Sequence, residues 1–220
     1  MKNIATSWHR TAKNSILFCS GSNLQALIDA ASTPLLPSAR IVHVISNRKA
    51  AYGLTRAANA TPPIPTSYHG YPPYKTSHPS DPRGAYDEDL AKLILNLPED
   101  QYPDLIVCAG WMHILSPKFL EPIETAGIPI INLHPALPGA FDGAGAIERA
   151  WEAFNKSEIA ETGVMIHYVI KEVDRGEPIV VKKVELKTGE SVEDLTARIH
   201  DIEHVAIVEG AKLALEKKSS

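Results

Sequence analysis

Short apolar runs alternate with amphipathic stretches through the first two thirds of the chain. Ser15–Cys19 (SILFC) is short and apolar without a period, the pattern of a strand covered on both faces. Ser22 and Asn23 then open Leu24–Ala31, where Leu24, Leu27 and Ile28 share one helical face. Ile41–Ile45 (IVHVI) predicts a second strand, Ala51–Ala60 a helix and Ile64–Thr66 a short third strand. Gly84–Leu97 predicts a helix with Leu90, Leu93, Ile94 and Leu97 at helical spacing, and Leu105–Cys108 and Ile128–Asn132 predict two more strands. This βαβα order implies an α/β fold, a mostly parallel, Rossmann-like sheet with helices on both faces.

The pattern then changes. Gly145–Asn155 reads as a helix. Gly163–Ile170 and Pro178–Leu186 alternate like antiparallel strands around a turn at Asp174-Arg175-Gly176, and Ser191–Lys217 is a long closing helix. With no repeat and no linker, 15–220 reads as a single domain, preceded by a disordered extension over 1–14. Ser67–Pro82 is rich in Pro, Tyr and His and too long for a plain connection, so it reads as an active-site flap or a surface insertion.

Composition narrows the possibilities. The 220 residues carry a net charge of -4, which argues against nucleic acid as a bulk partner. No apolar run approaches the roughly 20 residues of a membrane span. The cysteines, Cys19 and Cys108, end apolar runs and read as reduced core residues of a cytoplasmic protein. Nine histidines without HExxH spacing predict no metal site. Neither GxSxG nor GxGxxG occurs. The pattern fixes no oligomeric state.

Ligands of open α/β sheets bind outside the carboxyl ends of the strands. Ser20–Asn23, Ala109–Leu115, Asn132–Pro138 and the turn near Asp174 are expected there. SGSNLQ suits either an anion on the helix N-terminus or a bare Ser-Gly turn with Asn23 as cap. In INLHPALPG, Asn132 and His134 are two apart, so an extended backbone sends both side chains to one side. An amide and an imidazole there can donate to a developing oxyanion. Asp174 is either a turn residue bonding its own backbone or a carboxylate that raises the pKa of His134 and keeps it protonated. Arg83 and Glu203 read, on their own, as exposed charges on helix edges.

Taken together, SGSNLQALIDA, VISNRKAAYGL, AGWMHILSPKFL, INLHPALPGAFDG, TGVMIHYVIKEVDRGEPIV and DLTARIHDIEHVA resemble the phosphoribosylglycinamide formyltransferase family, from about Ser15 to about Leu215. The wording ALPGAFDG is most similar to its fungal branch. The resemblance implies 10-formyltetrahydrofolate as co-substrate, phosphoribosylglycinamide as acceptor, and no metal. It implies Asn132, His134 and Asp174 as catalytic residues. It places Gly21, Ser22, Asn23, His200, Asp201, Ile202 and Glu203 on the ribonucleotide. The folate side is implied at Arg83, Met112, His113, Ile114 and Leu115, at Asn132, and at Ile170, Lys171, Glu172 and Val173. The glycine loop is two residues shorter than the family's usual SGxGSNLQ, and GAGAIERAW lacks the histidine that relatives often carry there. A deformylase of the same cofactor and an inactive folate- or nucleotide-binding relative are the alternatives.

Overall fold

The computed structural model describes residues 13–19, 21–31, 33–37 and 39–218. The expected extension over 1–14 lies outside the described residues as far as residue 12, as do Ser20 and the side chain of Cys19; Lys13 and Asn14 open the first strand.

Seven strands form one sheet: β1 (Lys13–Cys19), β2 (Ala39–Ser46), β3 (Thr66–Tyr68), β4 (Leu105–Ala109), β5 (Ile130–His134), β6 (Glu161–Tyr168) and β7 (Pro178–Glu185). Their spatial order is β3-β2-β1-β4-β5-β6-β7. β1 to β5 run parallel, and β6 and β7 close the sheet antiparallel. The strand order reverses between β1 and β4, the place where open α/β sheets part to admit a ligand.

The helices are α1 (Asn23–Ala30), α2 (Tyr52–Asn59), α3 (Pro72–Ser77), α4 (Pro82–Leu95), α5 (Pro117–Thr125), α6 (Ala146–Asn155) and α7 (Val192–Lys217). One core joins Val44, Leu105, Val107, Ile131, Val164 and Ile166 of the sheet to residues of α1, α6 and α7. A second, on the opposite face, joins Val42, Ile45, Ile106, Cys108 and Ile130 to α4 and α5. Alternation along β4 and β5 assigns their side chains to these two faces.

Departures from the expected elements have local causes. α5 was not foreseen, because Pro122 sits inside it and an interior proline costs a helix about 3 kcal/mol. Phe119 and Ile123 are fully buried from that helix, and burying two such side chains returns about 1.5–3 kcal/mol each. β3 lies two residues later than expected: Pro62, Pro63 and Pro65 have no N–H to give, and Pro65 contributes only its carbonyl, to the Val44 N–H. α4 starts at Pro82 rather than Gly84, since the Asp81 side chain caps it by accepting from the Gly84 N–H at 2.8 Å. β5 runs to His134, two residues beyond the expected end.

Ser67–Pro82 is more than a bare insertion, and its Tyr71 ring lies 5.9 Å from that of His113. It completes β3, forms α3 and is pinned by aromatic packing. Tyr71 and Tyr74 meet buried Tyr86 edge-on at 5.5 and 5.4 Å between ring centres, and His69 packs on Tyr86 at 4.4 Å.

Candidate active site

Ile130, Asn132 and His134 alternate onto the face that carries α4 and α5, so the strand period aims the amide and the imidazole the same way. On the antiparallel neighbour, His167 stands directly opposite Asn132. Ile166 belongs to the other core, so His167 also faces the Asn132 side.

Asp174 reaches this group by a route the pattern did not predict. β6 runs antiparallel, and its end, Tyr168, pairs with Ile131 in the first half of β5. β6 therefore ends away from the carboxyl edge of the parallel strands, and Asp174 reaches the carboxyl end of β5, as expected, only because the chain turns back. The loop 169–177 folds back over the sheet face and delivers a carboxylate onto it. Asp174 Oδ2 lies 3.4 Å from His134 Nδ1, and Oδ1 lies 3.4 Å from His167 Nε2. Asn132 Nδ2 donates to Oδ1 at 3.3 Å and the Gly143 N–H donates to Oδ2 at 2.8 Å. The reading of Asp174 as a turn residue bonding its own backbone is thus replaced by a carboxylate turned inward, 9% exposed, with φ 56°. Gly176 permits the fold-back, because a Cβ there would collide with the Tyr168 carbonyl.

The tautomers follow from the partners. His134 Nε2 is 3.0 Å from the Ala140 carbonyl and His167 Nδ1 is 2.9 Å from the Tyr168 carbonyl. A carbonyl only accepts, so both nitrogens carry a proton. Each ring then meets Asp174 with the nitrogen whose protonation makes it an imidazolium. Burial pushes the Asp174 carboxyl up, but the hydrogen bond from His167, the Gly143 amide and the charges of His134 and His167 outweigh it and bring it down to about 2.

A cavity of about 380 Å³ opens beside these groups, with Met112, Ile114 and Leu115 on one wall and Val169, Ile170 and Val173 on another. His113, Lys171 and Glu172 also line it, as do Asn132, His134, His167 and Asp174. Burial, with Arg83 nearby, pushes the His113 ring down, toward its neutral form. The buried Cys108 thiol at the cavity is pushed up to about 12 by burial. Arg83 does not line the cavity and is not a free surface charge. It pairs with fully buried Asp87 at 3.2 Å and donates to the Ile114 carbonyl, while Asp87 accepts from the Ser116 N–H at 2.8 Å. It thereby ties α4 to the cavity wall.

The second expected group gathers at the start of α1. Asn23 does not cap its own helix; its Nδ2 donates to Glu203 Oε2 on α7 at 3.0 Å. Ser22 Oγ and His204 Nε2 are 2.8 Å apart. Glu203 is 5% exposed, which overturns its reading as a surface charge. Ile202 packs against the core, while His200 and Asp201 are exposed. None of Gly21, Ser22, Asn23 and the four residues 200–203 lines the 380 Å³ cavity.

The model of one protein family, described as formyl transferase, matches residues 13–210. The chain belongs to the formyl transferase family. It is similar to the phosphoribosylglycinamide formyltransferase of Schizosaccharomyces pombe, 54% identical over 86% of this chain and 90% of that one. The Saccharomyces cerevisiae enzyme of the same name is 47% identical over 90% and 94%. Among solved structures, glycinamide ribonucleotide transformylase 1 from Symbiobacterium toebii superposes with a TM-score of 0.78 at 31% identity, covering 95% of this chain and 90% of that one. No helix among the described residues is long and apolar enough to cross a membrane.

Sequence reading missed several groups at this site. His167 lies inside an apolar strand run, VMIHYVI, where a lone histidine reads as core. Only the β5–β6 register puts it opposite Asn132. His204 and Gly143 gave no signal beyond their positions.

Burial pushes the Glu203 carboxyl up, against the Asn23 amide and the charges of His200 and His204. A raised carboxyl makes the ionised form costly in the folded chain, so stability is full below the ordinary value of 4.5 and declines as pH rises through the raised one. Glu203→Gln keeps an acceptor for Asn23 and removes that charge. It is expected to melt higher than the parent at pH 7.5, by about 2–4 °C per kcal/mol recovered, with the gap closing as pH falls toward 4.5. Equal melting temperatures at pH 7.5 would refute this.

Proposed function

We propose that this chain transfers the formyl group of 10-formyltetrahydrofolate to the amine of 5'-phosphoribosylglycinamide, a step of de novo purine synthesis, in the cytoplasm. One observation carries the reading. Asn132, His134 and Asp174, 42 positions apart at the extremes, meet beside an apolar-walled cavity of about 380 Å³, in a chain whose relatives bear that enzyme's name. The cavity is within the roughly 300–1,000 Å³ of small-molecule sites, and its mainly apolar walls suit a pterin ring. The family match over residues 13–210 supports one formyltransferase domain.

In this reading the free amine adds to the formyl carbon. The amine gives up one proton, the carbon–nitrogen bond to folate breaks, and the folate nitrogen takes a proton. Asn132 and His134 donate to the oxyanion that forms. In the structure those donors rest on Asp174 and on the Ala140 carbonyl, so presenting them to a formyl oxygen exchanges these contacts. Asp174, with its carboxyl near 2, stays ionised at neutral pH and is a poor proton acceptor there. It acts as a fixed negative charge beside the imidazolium, and a water held against it shuttles the amine proton. No covalent bond to the enzyme is required.

Gly21, Ser22 and Asn23 open α1, whose N-terminus favours an anion. This supports placing the ribonucleotide's phosphate there, with Glu203 and the neighbouring His200, Asp201 and Ile202 on the glycinamide side. Arg83, through the Ile114 carbonyl, and the backbone of Met112–Leu115 and Ile170–Val173 hold the folate.

The test is an incubation with 10-formyltetrahydrofolate, with and without phosphoribosylglycinamide, following the absorbance of the released folate. Release that depends on the ribonucleotide supports the transferase. Release without it would make the chain a deformylase, and silence in both would make it a binding relative.

A further inference from the structure

Arg149 lies in the first turn of α6, where a cation opposes the helix macrodipole. Its position serves something other than the helix. Its Nη2 lies 2.6, 2.8 and 3.0 Å from the carbonyl oxygens of Phe141, Asp142 and Ala144, and its Nε is 3.3 Å from that of Gly145. The guanidinium also sits 5.8 Å from the centre of the Phe141 ring. One side chain thus gathers the carbonyls of the segment between His134 and α6.

One of those contacts bears on Asp174. The Asp142 carbonyl and the Gly143 N–H belong to the same peptide group, and in a trans peptide they point in opposite directions. Arg149 holds the carbonyl end at 2.8 Å, and Asp174 Oδ2 takes the N–H end at 2.8 Å. Gly143 has φ 81°, which leaves that peptide plane to be fixed by its partners rather than by a side chain. The Asp142 carboxylate adds a second tie, accepting from Arg175 at 2.6 Å, next to Asp174. A cation on the carbonyl also polarises the peptide and strengthens the N–H as a donor.

We propose that Arg149 is a positioning residue, which acts through the single peptide group between Asp142 and Gly143 to aim an N–H at the Asp174 carboxylate and so set the carboxylate against His134. This rests on the reading of Asp174 as a participant in formyl transfer.

The test uses Arg149→Gln and Arg149→Lys in the full chain, with two readings. The first is the Gly143 amide proton by NMR in glycine-labelled protein. Hydrogen-bonded to a carboxylate, it resonates downfield and exchanges slowly; Arg149→Gln moves it upfield and speeds its exchange. The second is kinetic. Losing one charge-assisted contact to the segment lowers kcat by about 10-fold or more, with KM for both substrates held within about twofold. Arg149→Lys restores the charge and recovers part of both signals. If Arg149→Gln does not fold, Arg149→Lys against the parent gives the same readings with smaller changes. An unmoved Gly143 amide overturns the contact whatever the chain catalyses. A moved amide with unchanged kcat overturns the positioning role, and a rise in KM alone assigns Arg149 to binding instead.

Discussion

His134→Ala and Asn132→Ala are each expected to lower kcat by about 100- to 1,000-fold, the cost of one oxyanion donor. Each removes a different N–H from the same oxygen, so the double variant is expected to lose less than the product of the two. Asn132→Ala is the cleaner experiment. It leaves Asp174 with His134, His167 and the Gly143 amide. His134→Ala also removes a 3% exposed ring and its bond to the Ala140 carbonyl, so circular dichroism and melting must accompany the kinetics. Turnover within tenfold of the parent, in folded protein, would remove these residues from the chemistry.

Asp174→Asn is expected to cost roughly 1,000-fold or more in kcat, on the scale set when a carboxylate that orients a catalytic imidazole becomes an amide. Asn tolerates the left-handed φ of 56°, and its oxygen still accepts from Gly143. The loss therefore reports charge rather than folding. The same variant has a signature in acid. The Asp174 carboxyl drops from its ordinary 3.8 to about 2 in the folded chain. That contributes stability above 3.8 that disappears as pH falls through 2. Asp174→Asn lacks it, so the variant's stability is expected to fall less steeply than the parent's over that interval, as read by circular dichroism during acid titration. Parallel acid curves would contradict the inward-facing carboxylate.

The difference between what the sequence exposed and what it hid lies in the range of the interactions. Asn132 and His134 are legible because a period of two is a local property, and β5 simply extends it. The parallel sheet and the long α7 follow from equally local patterns. Asp174 was legible only through resemblance, since its distance to His134 depends on a loop leaving an antiparallel strand. His167 was invisible because an apolar strand hides its facing until the register with β5 is known. Glu203 misreads as a surface charge because its partner Asn23 is 180 positions away; Arg83 misreads because the Ile114 carbonyl is 31 away and the burial of its near partner Asp87 depends on the Ser116 N–H, 29 residues further on. α5 was lost to a proline whose cost is outweighed by tertiary burial.

The fold-back of residues 169–177 divides labour along one short stretch of chain. Val169–Val173 shapes the cavity wall, while Asp174 is moored by contacts from three other segments. Replacements in the wall can therefore reshape the cavity without unmooring the acid, so the outline of the slot and the placing of the carboxylate are free to diverge independently.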